Sequence, residues 1–180
     1  MALSSALKIL DTILPWSSPD PKQIAGQVVL VTGAANGLGR EIAIKFAKLS
    51  CKLVLWDLDE AANEETKAIC ESLGAEVCEN KFTRKIEFLR KLNDISSGFE
   101  LSFFCEYLQV YTYRVNVSNR KEIYSTAERV MDEVGAVRIV VNNAGILRDA
   151  CDFLSKKDED IEATIRVNMM AHIWVSGQIS

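Results

Sequence analysis

Three glycines within seven residues, Gly33, Gly37 and Gly39, sit where an apolar run ends and a helical pattern begins. The run before them, Val28 to Thr32, is uninterrupted Val and Leu up to its last residue, as in a strand buried on both faces. After them Leu38, Ile42, Ala43, Phe46 and Ala47 recur at the spacing of one helix face. A strand-to-helix turn of this kind lets the backbone curl and approach a ligand closely. It also leaves N–H groups at a helix N-terminus, where the macrodipole favours an anion such as a pyrophosphate. The turn from Gly33 through Asn36, Gly37 and Leu38 to Gly39 is therefore a candidate phosphate cradle, and the strand before it and helix after it separate it from an ordinary glycine-rich loop. Asp57 closes a second apolar run, Lys52 to Asp57. A carboxylate there accepts hydrogen bonds from an adenosine ribose and repels a 2′-phosphate, which favours NAD(H) over NADP(H). The competing reading is a tight turn followed by a solvated acid.

The alternation continues down the chain. A helix is expected from about Glu60 to Leu73, a third strand from Tyr111 to Val117, and a third helix from Arg120, where Asn119 and Glu122 are spaced as a capping box. That helix should bury Ile123, Ala127, Val130, Met131 and Val134. A fourth strand is expected over Val137 to Val141, and a last helix from about Lys156 that buries Ile161, Ile165 and Met169. Strands alternating with helices make an α/β chain with a parallel sheet. The expected fold is a Rossmann-type doubly wound sheet, incomplete at about four strands. The chain has 180 residues, about one domain, of which 48% are hydrophobic. Lys and Arg number 21 against 25 Asp and Glu, so there is no basic field to draw in nucleic acid.

Five cysteines, Cys51, Cys70, Cys78, Cys105 and Cys151, form an odd set without a C-x-x-C pair, and the one histidine, His172, has no ligand neighbours at zinc spacing. The chain reads as intracellular, reduced and metal-free, and His172 as a partly buried helix residue. Residues 1–24 form an N-terminal amphipathic segment and linker: Leu3, Ala6, Leu7, Leu10, Ile13 and Leu14 share one helical face before Trp16. The stretch is too short to span a bilayer and is broken by Lys8 and Asp11. It is either a peripheral membrane contact over residues 2–16 or a short helix that packs on the domain.

The T-G-x-x-x-G-x-G spacing, with Asn142-Asn143-Ala144-Gly145 after the fourth strand, resembles the short-chain dehydrogenase/reductase family. Lys52-Leu53-Val54-Leu55-Trp56-Asp57 is most similar to its membrane-associated retinol and 17-beta-hydroxysteroid dehydrogenase branch. The resemblance covers residues from about 25 to 174. It implies strand order 3-2-1-4 and a nicotinamide dinucleotide bound by Gly33, Gly37, Gly39 and Asp57. Asn142, Ala144 and Gly145 would steady the sheet and border the nicotinamide ribose, and Asn116-Val117 would lie near the adenine, where the family usually has Asp-Val. Asn168 matches the asparagine that orders water in the family's proton relay. The implied activity is the interconversion of a lipophilic alcohol, of retinoid or steroid class, with its carbonyl. The implied places are the cytoplasm and the cytoplasmic surface of the endoplasmic reticulum or lipid droplets. The last helix, with Met169, Met170 and Trp174, is core or a homodimer surface.

Two departures stand out. The family's proton donor is a tyrosine with a lysine four residues later, worth about 100- to 10,000-fold in rate. No tyrosine here has that partner: Tyr107 is followed four places on by Tyr111, Tyr111 by Val115, Tyr113 by Val117, and Tyr124 by Glu128. The chain alone is therefore expected to be inactive, as a non-catalytic nucleotide-binding module or a non-functional fragment. Residues 77–109 also interrupt the resemblance, and removing them joins Gly74-Ala75-Glu76 to Val110-Tyr111-Thr112-Tyr113. Val77-Cys78 can be encoded GTATGT, like a splice donor, and Leu101 to Cys105 allow a pyrimidine tract before Gln109 as CAG. Val175-Ser176 allow GTAAGT. Residues 77–109 and the divergent tail 175–180 are thus read as translated intron, from a retained-intron transcript or an uncertain gene structure. The alternative is a genuine insertion in which Phe82, Ile86, Phe88 and Leu89 make a short amphipathic helix.

Overall fold

Val28–Thr32 forms β1, and all five residues are buried. The structure, a computed structural model, describes residues 24–74, 108–148 and 157–179. The amphipathic N-terminus, the insertion as far as residue 107, and Cys78, Cys105 and Cys151 lie outside those residues. β1 pairs in parallel with β2 (Lys52–Asp57) on one side and β4 (Ile139–Val141) on the other, and β2 pairs in parallel with β3 (Val110–Arg114). The order is β3-β2-β1-β4, a Rossmann-type α/β sheet. Among the described residues β4 pairs with β1 alone, and its three residues are only half-buried.

Alternate side chains of each strand go to opposite faces. Leu30, Val54, Trp56 and Tyr113 join α3 (Arg120–Glu133) and the C-terminal helix in one core layer. Val29, Val31, Leu53 and Leu55 join α1 (Gly37–Lys48) and α2 (residues 60–74) in the other. Helices on both faces are what let an all-parallel sheet be apolar on both sides. Each fully buried Val or Leu stabilises the fold by roughly 1.5–3 kcal/mol relative to an exposed one.

α3 starts as its sequence requires, with one difference. Asn119 Oδ1 accepts from Lys121 N at 3.1 Å, but Glu122 reaches past the cap to accept from Asn116 N at 2.9 Å, tying the helix to the turn after β3. Strands three and four are shorter than expected, at Val110–Arg114 and Ile139–Val141.

The last helix is where the expectation fails. It runs as α4 (Asp158–Ile165), a wide π turn (Arg166–Met170) and α5 (Ala171–Ile179). Ile161, Ile165 and Met169, expected to be buried, are 36%, 49% and 58% exposed, and the inward residues are Val167, Ala171, Val175 and Ile179. Both sets recur every four residues, so periodicity could not choose between them, and the wide turn shifts the phase of a 3.6-residue pattern. Leu38 on α1 and Met131 on α3 are also exposed rather than buried, because each lies at the edge of its helix's apolar stripe. Val175 and Ile179, in the tail read as divergent, pack into the core. No helix among the described residues is long and apolar enough to cross a membrane.

Candidate dinucleotide-binding site

The expected site residues converge at the carboxyl ends of the strands, where open α/β sheets bind ligands. Gly33 follows β1, Asp57 ends β2, Asn116 and Val117 follow β3, and Ala144 and Gly145 follow β4. All six line one cleft of about 190 Å³, with Trp56 and Ile146. Asn36, Gly37 and Leu38 stand exposed at the start of α1, and Gly39 is buried beneath them.

The glycine turn is built for close approach. Gly33 has φ +67°, and a Cβ there would lie 2.8 Å from Ala144 Cα. A Cβ on Gly39 would collide with the Gly33 carbonyl and lie 2.5 Å from Asn143 Nδ2. Asn36 caps α1 with extended backbone and no side-chain hydrogen bond, so the first N–H groups of α1 are not capped by their own helix. Asp57 ties the turn to β2: its Oδ2 accepts from Ala35 N at 2.9 Å, and its Oδ1 from Asp59 N at 3.0 Å. The carbonyl side of the same turn is held by Arg40 of α1 and Thr66 of α2. Arg40 Nε donates to Ala35 O at 2.8 Å and to Thr66 Oγ1 at 3.0 Å, and the Thr66 hydroxyl lies 3.1 Å from Ala34 O.

The far wall hangs on Thr32. Its Oγ1 accepts from Asn143 N and Ala144 N, both at 3.1 Å, while Asn143 Nδ2 donates to Thr32 O and Gly33 O at 3.1 and 3.0 Å. Asn142 points elsewhere, donating from Nδ2 to Ser176 Oγ at 2.9 Å, and its buried Oδ1 has no partner among the described residues. Asn168, in the π turn, accepts from Ile146 N at 2.8 Å and donates to Ile146 O at 2.9 Å. Wide turns of this kind are frequent at functional sites. Asn116 Oδ1 accepts from Ser118 N and Ser118 Oγ, at 3.0 and 2.7 Å, in a local turn at the cleft's edge. His172 is half-buried, with Nε2 3.2 Å from Ala144 O.

Thr32, Asn143, Arg40, Thr66, His172 and Ser176 were not singled out from sequence as site residues. The Asn-Asn-Ala-Gly run was a signal for Asn143 and the T-G-x-x-x-G-x-G spacing one for Thr32; the others have none short of the fold. Tyr113 carries no proton-donor chemistry for this cleft. It packs under α3 and donates to Glu133 Oε2 at 2.7 Å, and burial and that carboxylate hold its phenol above the ordinary range.

Parallel strands, glycine turn, terminal acid and the turn after β4 define a Rossmann-type unit with its cleft at the topological switch point. The profile of the short chain dehydrogenase family matches residues 27–89 and 105–180. The chain is 39% identical over 155 residues to estradiol 17-beta-dehydrogenase 11 of Macaca fascicularis, covering 86% of this chain and 40% of that one. It is 41% identical over 158 residues to retinol dehydrogenase 10-A of Xenopus laevis, covering 88% and 44%. The chain thus spans about two fifths of the length of these curated relatives. Among solved structures, NAD+-bound xylitol dehydrogenase superposes with a TM-score of 0.67 at 18% identity, over 88% of this chain and 48% of that one. A metagenomic short-chain oxidoreductase in complex with NADP gives 0.66 at 21%, over 87% and 56%. The chain belongs to the short-chain dehydrogenase family, a family of oxidoreductases, and is similar to its retinol and hydroxysteroid dehydrogenases.

Proposed function

We propose that residues 25–180 are the cofactor-binding part of an NAD(H)-dependent oxidoreductase that interconverts a lipophilic alcohol, of retinoid or steroid class, with its carbonyl. The single observation that carries this reading is the Ala35 N to Asp57 Oδ2 bond at 2.9 Å, which brings the phosphate cradle and the ribose-binding acid to one cleft. The residues fit the cofactor: a side chain at Gly39 would fill the cradle, and the start of α1 is open to an anion. Gly33, Asn36, Gly37, Leu38 and Gly39 would hold the pyrophosphate, Asp57 the adenosine ribose, Asn116 and Val117 the adenine. Ala144 and Gly145 would border the nicotinamide ribose, and Asn142, turned toward Ser176, would steady that segment from behind. Exposed Asp59 and Glu60 beside Asp57 add negative charge where a 2′-phosphate would sit, which favours NAD(H).

A nicotinamide dinucleotide held there would supply or accept the hydride. This chain's own part in the proton relay is Asn168, which holds both backbone groups of Ile146 at the cleft. Because no tyrosine of this chain has a lysine four places on, residues 1–180 bind cofactor without turnover. That absence favours a second reading, a nucleotide-binding module with no chemistry of its own. The relatives' names suggest the substrate class. The exposed stripe of Ile161, Ile165, Met169 and Ile173 suits a homodimer surface, and residues 2–16 suit contact with the cytoplasmic face of the endoplasmic reticulum or lipid droplets.

The test is titration of the chain with NADH and NADPH, followed by fluorescence, beside an Asp57→Asn variant. Wild type should bind NADH at least about tenfold more tightly than NADPH, the worth of one charge-assisted hydrogen bond, and the variant should lose that preference. Binding of neither nucleotide would overturn the reading. Turnover of a retinoid or steroid alcohol by this chain alone would overturn the claim that it lacks chemistry.

A further inference from the structure

Asn168, His172 and Ser176 lie four residues apart along the π turn and α5. Their partners, Ile146, Ala144 and Asn142, lie two residues apart along the extended chain after β4. Asn168 brackets the Ile146 backbone at 2.8 and 2.9 Å, His172 Nε2 stands 3.2 Å from Ala144 O, and Asn142 Nδ2 donates to Ser176 Oγ at 2.9 Å. Four helical residues rise about 6 Å, and two extended residues rise about 6.6 Å. The two ladders therefore keep step over three rungs while running in opposite directions. A carbonyl can only accept, so the ring nitrogen facing Ala144 O is the protonated one.

The middle rung matters most for the cleft. Ala144 is held from the β1 side through its N–H, by Thr32 Oγ1 at 3.1 Å, and from the α5 side through its carbonyl. A Cβ on Gly33 would lie 2.8 Å from Ala144 Cα, so a shift of Ala144 toward the glycine turn meets backbone at once. Ala144 and Gly145 line the cleft, whereas His172 and Ser176 do not.

We propose that His172 and Ser176 are positioning residues that clamp α5 to the segment Asn142–Ile146 and so set the wall against which the nicotinamide half of the cofactor lies. This rests on the cleft being a dinucleotide site. It predicts that the two ends of the cofactor respond differently: the adenosine end would sit on the start of α1 and Asp57, to which none of the three rungs makes a hydrogen bond.

The experiment uses the 180-residue chain and the variants His172→Ala, His172→Gln and Ser176→Ala. Each is measured by hydrogen–deuterium exchange and by titration with NADH and with ADP-ribose, which lacks the nicotinamide. Ser176 is exposed on α5, so its alanine variant is expected to fold even if His172→Ala does not. With the hydrogen bond to the 142–146 segment lost, exchange of the 142–148 segment should rise and NADH binding weaken by about tenfold each in the alanine variants. ADP-ribose binding should stay within about twofold, and His172→Gln, which keeps a donor, should behave as wild type. Unchanged exchange in the alanine variants overturns the clamp. Equal weakening of NADH and ADP-ribose, or a glutamine variant as impaired as alanine, overturns the positioning role. If wild type binds neither nucleotide, the cofactor reading falls with the positioning role, and the exchange data still decide whether the clamp exists.

Discussion

Replacing Thr32 by valine removes one hydroxyl and almost no volume, yet it should be among the most damaging single changes in the chain. Thr32 is 1% exposed, and its Oγ1 is the acceptor for two backbone amides, Asn143 N and Ala144 N, both at 3.1 Å. The valine isostere fills the same space, so no cavity opens and the main cost is that of two amides left without a partner, the long 3.5 Å bond from Oγ1 to Val141 O being lost beside them. An orphaned buried donor costs about 1–3 kcal/mol. Both amides lie in partly buried surroundings, so the lower part of that range applies, and the two together come to about 2–4 kcal/mol. Against a domain stability of about 5–15 kcal/mol that is a large fraction. Thr32→Ser keeps the acceptor and loses one methyl group, about 1 kcal/mol. The assay is equilibrium unfolding in urea at low protein concentration, followed by the fluorescence of buried Trp56. A valine variant that loses less than about 1 kcal/mol, or a serine variant that loses more than valine, would refute the reasoning.

Three further outcomes are expected. Burial, with Glu71 adding to it, lifts the Cys70 thiol from 9.0 to about 11. Site-resolved alkylation at pH 8 should therefore spare Cys70 in the folded chain and label it in urea. Because the folded value lies above the unfolded one, the thiol's contribution to stability is complete below pH 9 and is lost as pH rises to 11. Deleting residues 77–109 should leave the sheet intact: Gly74 and Leu108 stand side by side, a Cβ on Gly74 falling 2.5 Å from Leu108 Cβ. Glu76 then takes the place of Gln109, whose carbonyl accepts from Leu53 N at 2.9 Å, and an unchanged or raised melting temperature is the result to look for. Finally, the half-buried β4 and the stripe from Ile161 to Ile173 should make the chain self-associate, which sedimentation velocity reads directly; a monodisperse monomer contradicts this.

How much of this could be read from the sequence depended on how local the cause was. β1 and β2 match their expected bounds to the residue, because an apolar run between turn residues has one length and no competing phase. The glycine turn, Asp57 and the Asn119 cap follow from chemistry within a few residues. The faces of the C-terminal helix were not legible, because two apolar stripes with the same four-residue spacing compete and only the sheet decides which turns inward. The Thr32, Arg40 and His172 contacts were hidden for a related reason. A threonine ending a strand, or an arginine after a glycine, has many uses, and its partner is chosen by which distant segment the topology sets beside it.

The sequence separation of 111 between Thr32 and Asn143 bears on the order of assembly. Ala35 and Asp57 are 22 residues apart, so the side of the cleft that holds the glycine turn and Asp57 can form as soon as β1, α1 and β2 have met. The opposite wall waits for β4, whose pairing with β1 closes a far longer loop, the kind of contact that slows folding most. A chain lengthening on the ribosome passes through a stage in which half of the cleft exists and half has not been synthesised. If the cleft takes a dinucleotide as proposed, ADP-ribose would at that stage find most of its contacts and a whole dinucleotide would not, so the difference between the two ligands on stalled chains of increasing length would date the arrival of residues 139–146.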